Sequence, residues 1–214
     1  MKLCADSVYK NIKKSPILKN ISMHLESGSI VGLMGPNGSG KTMLLRAFCG
    51  LIRPDEGTVS IDGAVLGKDL SFPPSVGILI ENPAFISKYT GFVNLRMLAS
   101  IKGAITNEEI KGALIDVGLD PHDPRSFRKY SLGMKQRLGI AAALMEQPDL
   151  LLIDEPFNAL DPDGIALVRG LLLAHKERGA LVVVACHDKA EMDLLADEVY
   201  VLAEGKVVDH YGRT

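Results

Sequence analysis

The spacing of apolar positions changes along the chain, and each change marks an element. Residues Lys2 to Tyr9, Ile17 to Glu26 and Thr58 to Asp62 alternate or cluster apolar side chains between turn signals such as Ser27-Gly28 and Pro54-Asp55-Glu56-Gly57, which predicts strands. They are close in sequence and joined by short turns, so an antiparallel sheet is expected. Val76-Gly77-Ile78-Leu79-Ile80 follows as a buried strand that ends at Glu81-Asn82-Pro83. From about Pro83 to Gln147 the period becomes helical, with helices expected over Gly91–Ala99, Thr106–Ile115 and about Met134–Glu146, and a loop over Pro121–Arg128. Thr106 with Glu109 forms a capping box that fixes the start of the second helix. Leu150-Leu151-Leu152-Ile153-Asp154 and Leu181 to Cys186 are continuous apolar runs, as in strands buried on both faces of a parallel sheet. A helix over about Pro162–Glu177 supplies the crossover between them, and another over Lys189–Ala196 follows. Val199 to Leu202 turns at Ala203-Glu204-Gly205-Lys206 into Val207-Val208 as a terminal hairpin. The expected fold class is α/β, with a mainly parallel sheet, an N-terminal antiparallel part and a helical unit at about 83–147 inserted into one domain spanning 1–214.

One stretch between the third strand in chain order and the first helix changes this from a fold into a site. Gly35-Pro36-Asn37-Gly38-Ser39-Gly40-Lys41-Thr42 fits the phosphate-binding pattern G-x-x-x-x-G-K-[ST]. It stands between the strand-like Ser29–Met34 and the helical Thr42–Cys49, which Gly50 closes. Glycines let the backbone curl so that successive N–H groups face a phosphate chain, and the helix N-terminus adds partial positive charge at the same point. Lys41 then reaches the β- and γ-phosphates, and Thr42 offers a hydroxyl to Mg²⁺. Asp154 and Glu155 close an apolar strand at the sheet edge where α/β folds bind ligands. Asp154 is expected to hold Mg²⁺, and Glu155 to accept a proton from an attacking water.

Composition narrows the class further. The 214 residues, 47% hydrophobic and 23% charged, are enough for one sizeable core and do not indicate disorder. A formal net charge of −2 without a run of Lys or Arg does not suggest a nucleic-acid groove. Cys4, Cys49 and Cys186 lack metal-ligand spacing and read as small core residues in a reducing compartment. No apolar stretch approaches the roughly 18–20 residues needed to span a bilayer, and the first residues lack a secretory signal, so a soluble cytosolic protein is expected.

The order of motifs resembles the ATP-binding subunits of ABC transporters over essentially the whole chain. Tyr130-Ser131-Leu132-Gly133-Met134-Lys135-Gln136-Arg137 resembles that family's signature motif, Asp154-Glu155-Pro156 its acidic pair, and Phe157-Asn158-Ala159-Leu160-Asp161 its D-loop. His187, just after a buried strand, is similar to the switch histidine and is expected to contact the γ-phosphate. The resemblance implies two chains arranged head to tail, with ATP between the phosphate loop of one and Ser131, Gly133 and Asp161 of the other. Ser131 and the Gly133 backbone open a helix whose N-terminus attracts anions.

Three departures from the family pattern bear on the site. The signature usually reads LSGGQ, and here Tyr130, Leu132 and Met134 replace positions of it while Ser131 and Gly133 remain. The residue expected against adenine is Ile12, with Tyr9 nearby as the alternative. Glu81 stands where the family usually has glutamine, as a further expected Mg²⁺ contact, and Glu81-Asn82-Pro83, Tyr89-Thr90-Gly91 and Asn94-Leu95 resemble the bacitracin and lantibiotic exporter branch. The implied function is an ATPase motor, peripheral on the inner face of the cell membrane through a separate permease. A non-transport scaffold or a regulatory nucleotide switch of the same architecture is the alternative, and Glu155 argues against a module that binds without turnover.

Overall fold

The computed structural model describes residues 1–81 and 83–212. In chain order the elements are β1 (Lys2–Ile12), β2 (Ser15–Glu26), β3 (Ser29–Met34), α1 (Lys41–Phe48), β4 (Glu56–Ile61), β5 (Ala64–Val65), β6 (Val76–Leu79), α2 (Gly91–Lys102) and α3 (Asn107–Asp116). A 3₁₀ turn at Phe127–Lys129 leads to α4 (Leu132–Leu144). There follow β7 (Leu150–Asp154), α5 (Pro162–Glu177), β8 (Leu181–Ala185), α6 (Lys189–Leu195), β9 (Glu198–Ala203) and β10 (Lys206–Gly212).

Two sheets result among the described residues. The first, β2-β1-β4-β5, is antiparallel throughout. The second has the order β10-β9-β3-β8-β7-β6, with β9, β3, β8, β7 and β6 parallel and β10 closing one edge antiparallel to β9. Every residue of β7 and β8 is buried, as their unbroken apolar sequence requires. Successive residues of one strand point to opposite faces, so the same strands feed two cores. Leu151, Ile153, Val182 and Val184 join the cluster that contains the helices α2 to α5, while Leu150, Leu152, Leu181 and Val183 join α1 and the antiparallel sheet. Layers therefore run from antiparallel sheet to parallel sheet to helices. None of the helices among the described residues is long and apolar enough to cross a membrane.

Helix α4 lies unusually close to β6. A Cβ on Gly77 would stand 1.9 Å from the Ala143 carbonyl oxygen, and one on Gly139 would stand 2.9 Å from Leu79 and Pro83 side chains. Two facing glycines let the helix that opens at Ser131 rest on the strand that leads to Glu81. The loop before α2 is held by Asn94, which is 3% exposed; its Nδ2 donates to the carbonyls of Ile86 and Thr90 at 3.2 and 3.0 Å, and its Oδ1 accepts from the Ile86 amide at 2.8 Å. The capping box forms as expected: the Thr106 hydroxyl accepts from the Glu109 amide at 3.3 Å, and the Glu109 carboxylate accepts from the Thr106 amide at 2.7 Å. Cys49 and Cys186 are buried free thiols, and Cys4 is half-buried.

Candidate functional site

The loop between β3 and α1 is tied down from within and without. The Ser39 amide donates to the Pro36 carbonyl at 3.1 Å, and the Ser39 carbonyl accepts from the Gly205 amide of the β9–β10 turn at 3.0 Å. Gly35 has φ +145, and a Cβ there would meet the Leu202 carbonyl oxygen at 2.1 Å, so no other residue fits. Gly40 occupies the N-cap of α1 with φ +108 and brings no side-chain cap, which leaves the helix's opening amides to an anion. Lys41 is 6% exposed and folds back over the loop, its Nζ donating to the carbonyls of Gly35 at 2.7 Å and Pro36 at 3.3 Å. The Ser39 hydroxyl is buried and has no hydrogen-bond partner among the described residues. A buried hydroxyl costs free energy unless satisfied, so this one points to an absent polar ligand.

The acidic pair reaches this loop along the sheet. β7 ends at Asp154, whose Oδ2 accepts from the Thr42 hydroxyl at 2.6 Å. Burial pushes the Asp154 carboxyl above its ordinary value; the Thr42 bond opposes that, and the Glu155 carboxylate adds to it. Glu155 itself is left-handed, φ +50, a costly conformation for a residue with a side chain. Backbone contacts on both sides hold it: its amide donates to the Ala185 carbonyl at 2.8 Å, and its carbonyl accepts from Gln136 Nε2 at 2.9 Å and from the Asn158 amide at 3.3 Å. The same Nε2 reaches the Pro156 carbonyl at 3.2 Å. The Glu155 carboxylate faces His187 Nδ1 at 2.8 and 2.9 Å, so Glu155 and the histidine that follows β8 form one pair.

Together these residues line a cleft of about 520 Å³ that runs from Ile12 across Asn37, Gly38, Ser39, Gly40, Lys41 and Thr42 to Asp154 and Glu155. Ile12, at the end of β1, is 41% exposed there, whereas Tyr9 does not line the cleft. Lys13 does, which the sequence reading missed.

The signature residues lie elsewhere. Ser131 caps α4 by accepting from the Met134 amide at 3.2 Å, and Asp161 caps α5 by accepting from the Gly164 amide at 3.0 Å. Arg137 also donates to Asp161 at 3.0 Å. A Cβ on Gly133 would meet the Ala159 carbonyl oxygen at 2.8 Å. Ser131, Gly133 and Asp161 line a second open cleft of about 580 Å³, and none of the described residues lines both this cleft and that of the phosphate loop. A further cavity of about 550 Å³, beside Glu109, Asp116, His175 and Arg178, contains none of the predicted site residues.

Glu81 follows β6 with φ +62 and pairs with the guanidinium of Arg46 at 2.8 Å. Asn82 lies outside the described residues. Arg46 was absent from the sequence reading, yet a signal existed: it stands four residues after Thr42 and so shares its helix face. Gln136 gave no such signal, because its partners are 19 and 20 residues away across a strand.

Residues 18–158 match the ABC transporter family. The chain is 47% identical over 198 residues to an uncharacterised ABC transporter ATP-binding protein, YybJ, of Bacillus subtilis (strain 168), covering 92% of this chain and 91% of that protein. It is 39% identical over 207 residues to the bacitracin transport ATP-binding protein BcrA of Enterococcus faecalis, covering 95% of this chain and 67% of that one. Among solved structures, a dimeric ATP-binding cassette in a post-hydrolysis state, bound to ADP and Pi, superposes with a TM-score of 0.89 at 25% identity and 99% coverage of both chains. The chain belongs to the ABC transporter family, as an ATP-binding cassette that hydrolyses ATP.

Proposed function

We propose that this chain is the motor of a transporter, in which ATP closes two copies head to tail and hydrolysis lets them reopen, driving a separate membrane permease. The observation that carries this reading is the division of the site: the phosphate loop and acidic pair line one cleft, Ser131, Gly133 and Asp161 another, and the two share none of the described residues. A second copy supplies to each nucleotide what its own chain holds at a distance. The reading treats residues 1–214 as one ATPase domain in which the helical unit at about 83–147 presents the signature. Attachment to the cytoplasmic face of the membrane is then through the permease, and similarity to BcrA supports a place in the bacitracin-type branch.

In this mechanism Gly35 to Thr42 wrap the phosphates with backbone amides, and Ser39 gives its unpartnered hydroxyl to them. Lys41 exchanges its loop carbonyls for phosphate oxygens. Ile12 gives apolar contact to the base. Asp154 and the Thr42 hydroxyl form a pair of hard oxygen donors that suits Mg²⁺, with Glu81 available beside them once it leaves Arg46. When bound, Mg²⁺ neutralises charge on the β- and γ-phosphates. Glu155 takes the proton of the attacking water, and His187 orients the carboxylate through the hydrogen bond it already makes and faces the γ-phosphate. Ser131, Gly133 and Asp161 meet the partner copy's nucleotide.

Two measurements test this. Lys41→Ala should abolish tight ATP binding, and undiminished turnover in that variant would refute the assignment of the phosphate site. From detergent-solubilised membranes of the source cell the tagged chain should co-purify with a polytopic membrane protein in stoichiometric amount; recovery without any membrane protein would favour the non-transport alternative.

A further inference from the structure

We propose that Glu155, Cys186 and His187 form a binding site for a thiophilic divalent cation of the Zn²⁺ type, and that filling it arrests ATP hydrolysis. Among the described residues, these three bring one carboxylate oxygen, one thiol sulfur and one imidazole nitrogen all within 4.8 Å of one another. The sheet imposes that proximity. β7 and β8 are adjacent parallel strands with Asp154 opposite Ala185, so Glu155 leaves one strand end where Cys186 and His187 leave the next. The Glu155 amide bonds to the Ala185 carbonyl at 2.8 Å, and the Cys186 amide bonds to the Leu33 carbonyl at 3.1 Å, which fixes both backbones.

The donor set selects the metal. Sulfur, nitrogen and oxygen from three residues, with a fourth position open, is the ligand chemistry of Zn²⁺, whereas Mg²⁺ takes oxygen alone. The oxygen pair of Thr42 and Asp154 is thus left to the hard ion. His187 Nδ1 lies 2.8 Å from the nearer carboxylate oxygen, closer than the roughly 3.3 Å between two ligands around a tetrahedral ion with bonds near 2.0 Å. The His187 side chain is 60% exposed and free to swing out by that difference. Cys186 is 2% exposed, and burial pushes its thiol up to about 11, so without metal it stays protonated and inert. A coordinated thiol gives its proton to solvent. Once the Glu155 carboxylate is a metal ligand it can no longer accept a proton from water, which stops turnover while Lys41 and the phosphate loop remain able to hold ATP. This second half rests on Glu155 being the base; the metal site does not.

The experiment uses the full chain in two arms. In the first, Cd²⁺ is titrated without nucleotide and the thiolate-to-metal charge-transfer absorption is read. In the second, ATPase turnover at fixed Mg-ATP is measured against rising free Zn²⁺. The wild type should show a band that saturates at one equivalent and should lose at least about tenfold in turnover. Cys186→Ser should keep its basal turnover, lose the band, and require Zn²⁺ raised by at least the roughly 10–100-fold that even a hydrogen-bond partner of a metal ligand is worth. Cys186→Ala repeats the test if the serine variant does not fold, and Cys4→Ser should match the wild type. No band in the wild type, or a band and inhibition unchanged by both Cys186 substitutions, would overturn the site. A Cys186-dependent band with turnover unaffected would overturn the inhibition and count against Glu155 as the base, while the site itself stands.

Discussion

Replacing Gln136 by Met keeps the length of the side chain and removes its amide, so it tests whether α4 holds Glu155 in place. Two carbonyls lose a donor, that of Glu155 at 2.9 Å and that of Pro156 at 3.2 Å. Gln136 is only 9% exposed, and water does not readily replace it. The Glu155 carbonyl keeps the Asn158 amide at 3.3 Å, so the Pro156 carbonyl is the acceptor left unsatisfied; such a loss costs about 1–3 kcal/mol, and carbonyls tolerate it better than amides, which gives about 2 kcal/mol. For a chain of this size that lowers the unfolding midpoint by about 4–8 °C. The kinetic effect should be separate. Glu155 sits at φ +50, a conformation that persists only while its surroundings hold it. With the shorter of the two bonds to its carbonyl gone the carboxylate drifts, and a displacement of about 1 Å can cost on the order of 100-fold in rate. Steady-state ATPase assays should therefore show kcat lowered by about 10–100-fold, with KM for ATP within about threefold, because the Gln136 amide bonds to Glu155 and Pro156 and not to the phosphate loop. An unfolding midpoint that falls while kcat holds would make the contact purely structural. If neither moves, the argument from Gln136 to Glu155 is wrong.

Asp154→Asn removes a carboxylate that burial disfavours, so the variant should be more stable than the wild type at neutral pH yet inactive with Mg-ATP. The raised value means that the folded chain holds this proton more tightly than the unfolded one. The stability that follows from it is complete below the ordinary value near 3.8 and is lost as pH rises through the raised one, so the gap between variant and wild type should open across that window in denaturant titrations. A gap of constant size would contradict the buried-charge account. Glu81→Gln breaks an exposed ion pair with Arg46, worth at most about 1 kcal/mol. It should leave most hydrolysis and reduce the Mg²⁺ dependence of ATP binding; the same metal dependence in both forms would place Glu81 outside the metal's field.

What the sequence disclosed, and what it hid, follows the range of the interactions. The phosphate loop is local: its glycines, Lys41 and Thr42 act within eight residues, and the structure sets them between β3 and α1 as the pattern requires. The apolar runs of β7 and β8 and the Thr106 box are local in the same sense. Ends were less legible. Helix α2 runs to Lys102 and not Ala99, because Gly103 in a left-handed cap is what stops it, and that glycine stood in the sequence unused. α4 begins at Leu132, since Ser131 is its cap. β1 continues to Ile12 and β2 starts at Ser15, through a turn made by Lys13 and Lys14 at φ +47 and +69, a conformation that lysine sequences do not advertise. The expected loop before α4 contains a 3₁₀ turn that buries Phe127. Contacts that join distant segments carried no sequence signal at all: Gln136 to Glu155, and the close approach of α4 to β6 that Gly77 and Gly139 allow.

The central claim is that two copies of this chain share each nucleotide, and Glu155→Gln tests it most directly. The substitution keeps the size and hydrogen bonding of the side chain but removes the proposed base, so bound ATP should not be split and the closed state should accumulate. The molecular mass of the purified variant is to be measured by size-exclusion chromatography with light scattering, with and without ATP and Mg²⁺. The account predicts twice the monomer mass of 23.1 kDa with Mg-ATP, and the monomer without it. A variant that binds Mg-ATP tightly and yet stays monomeric at high concentration would contradict it.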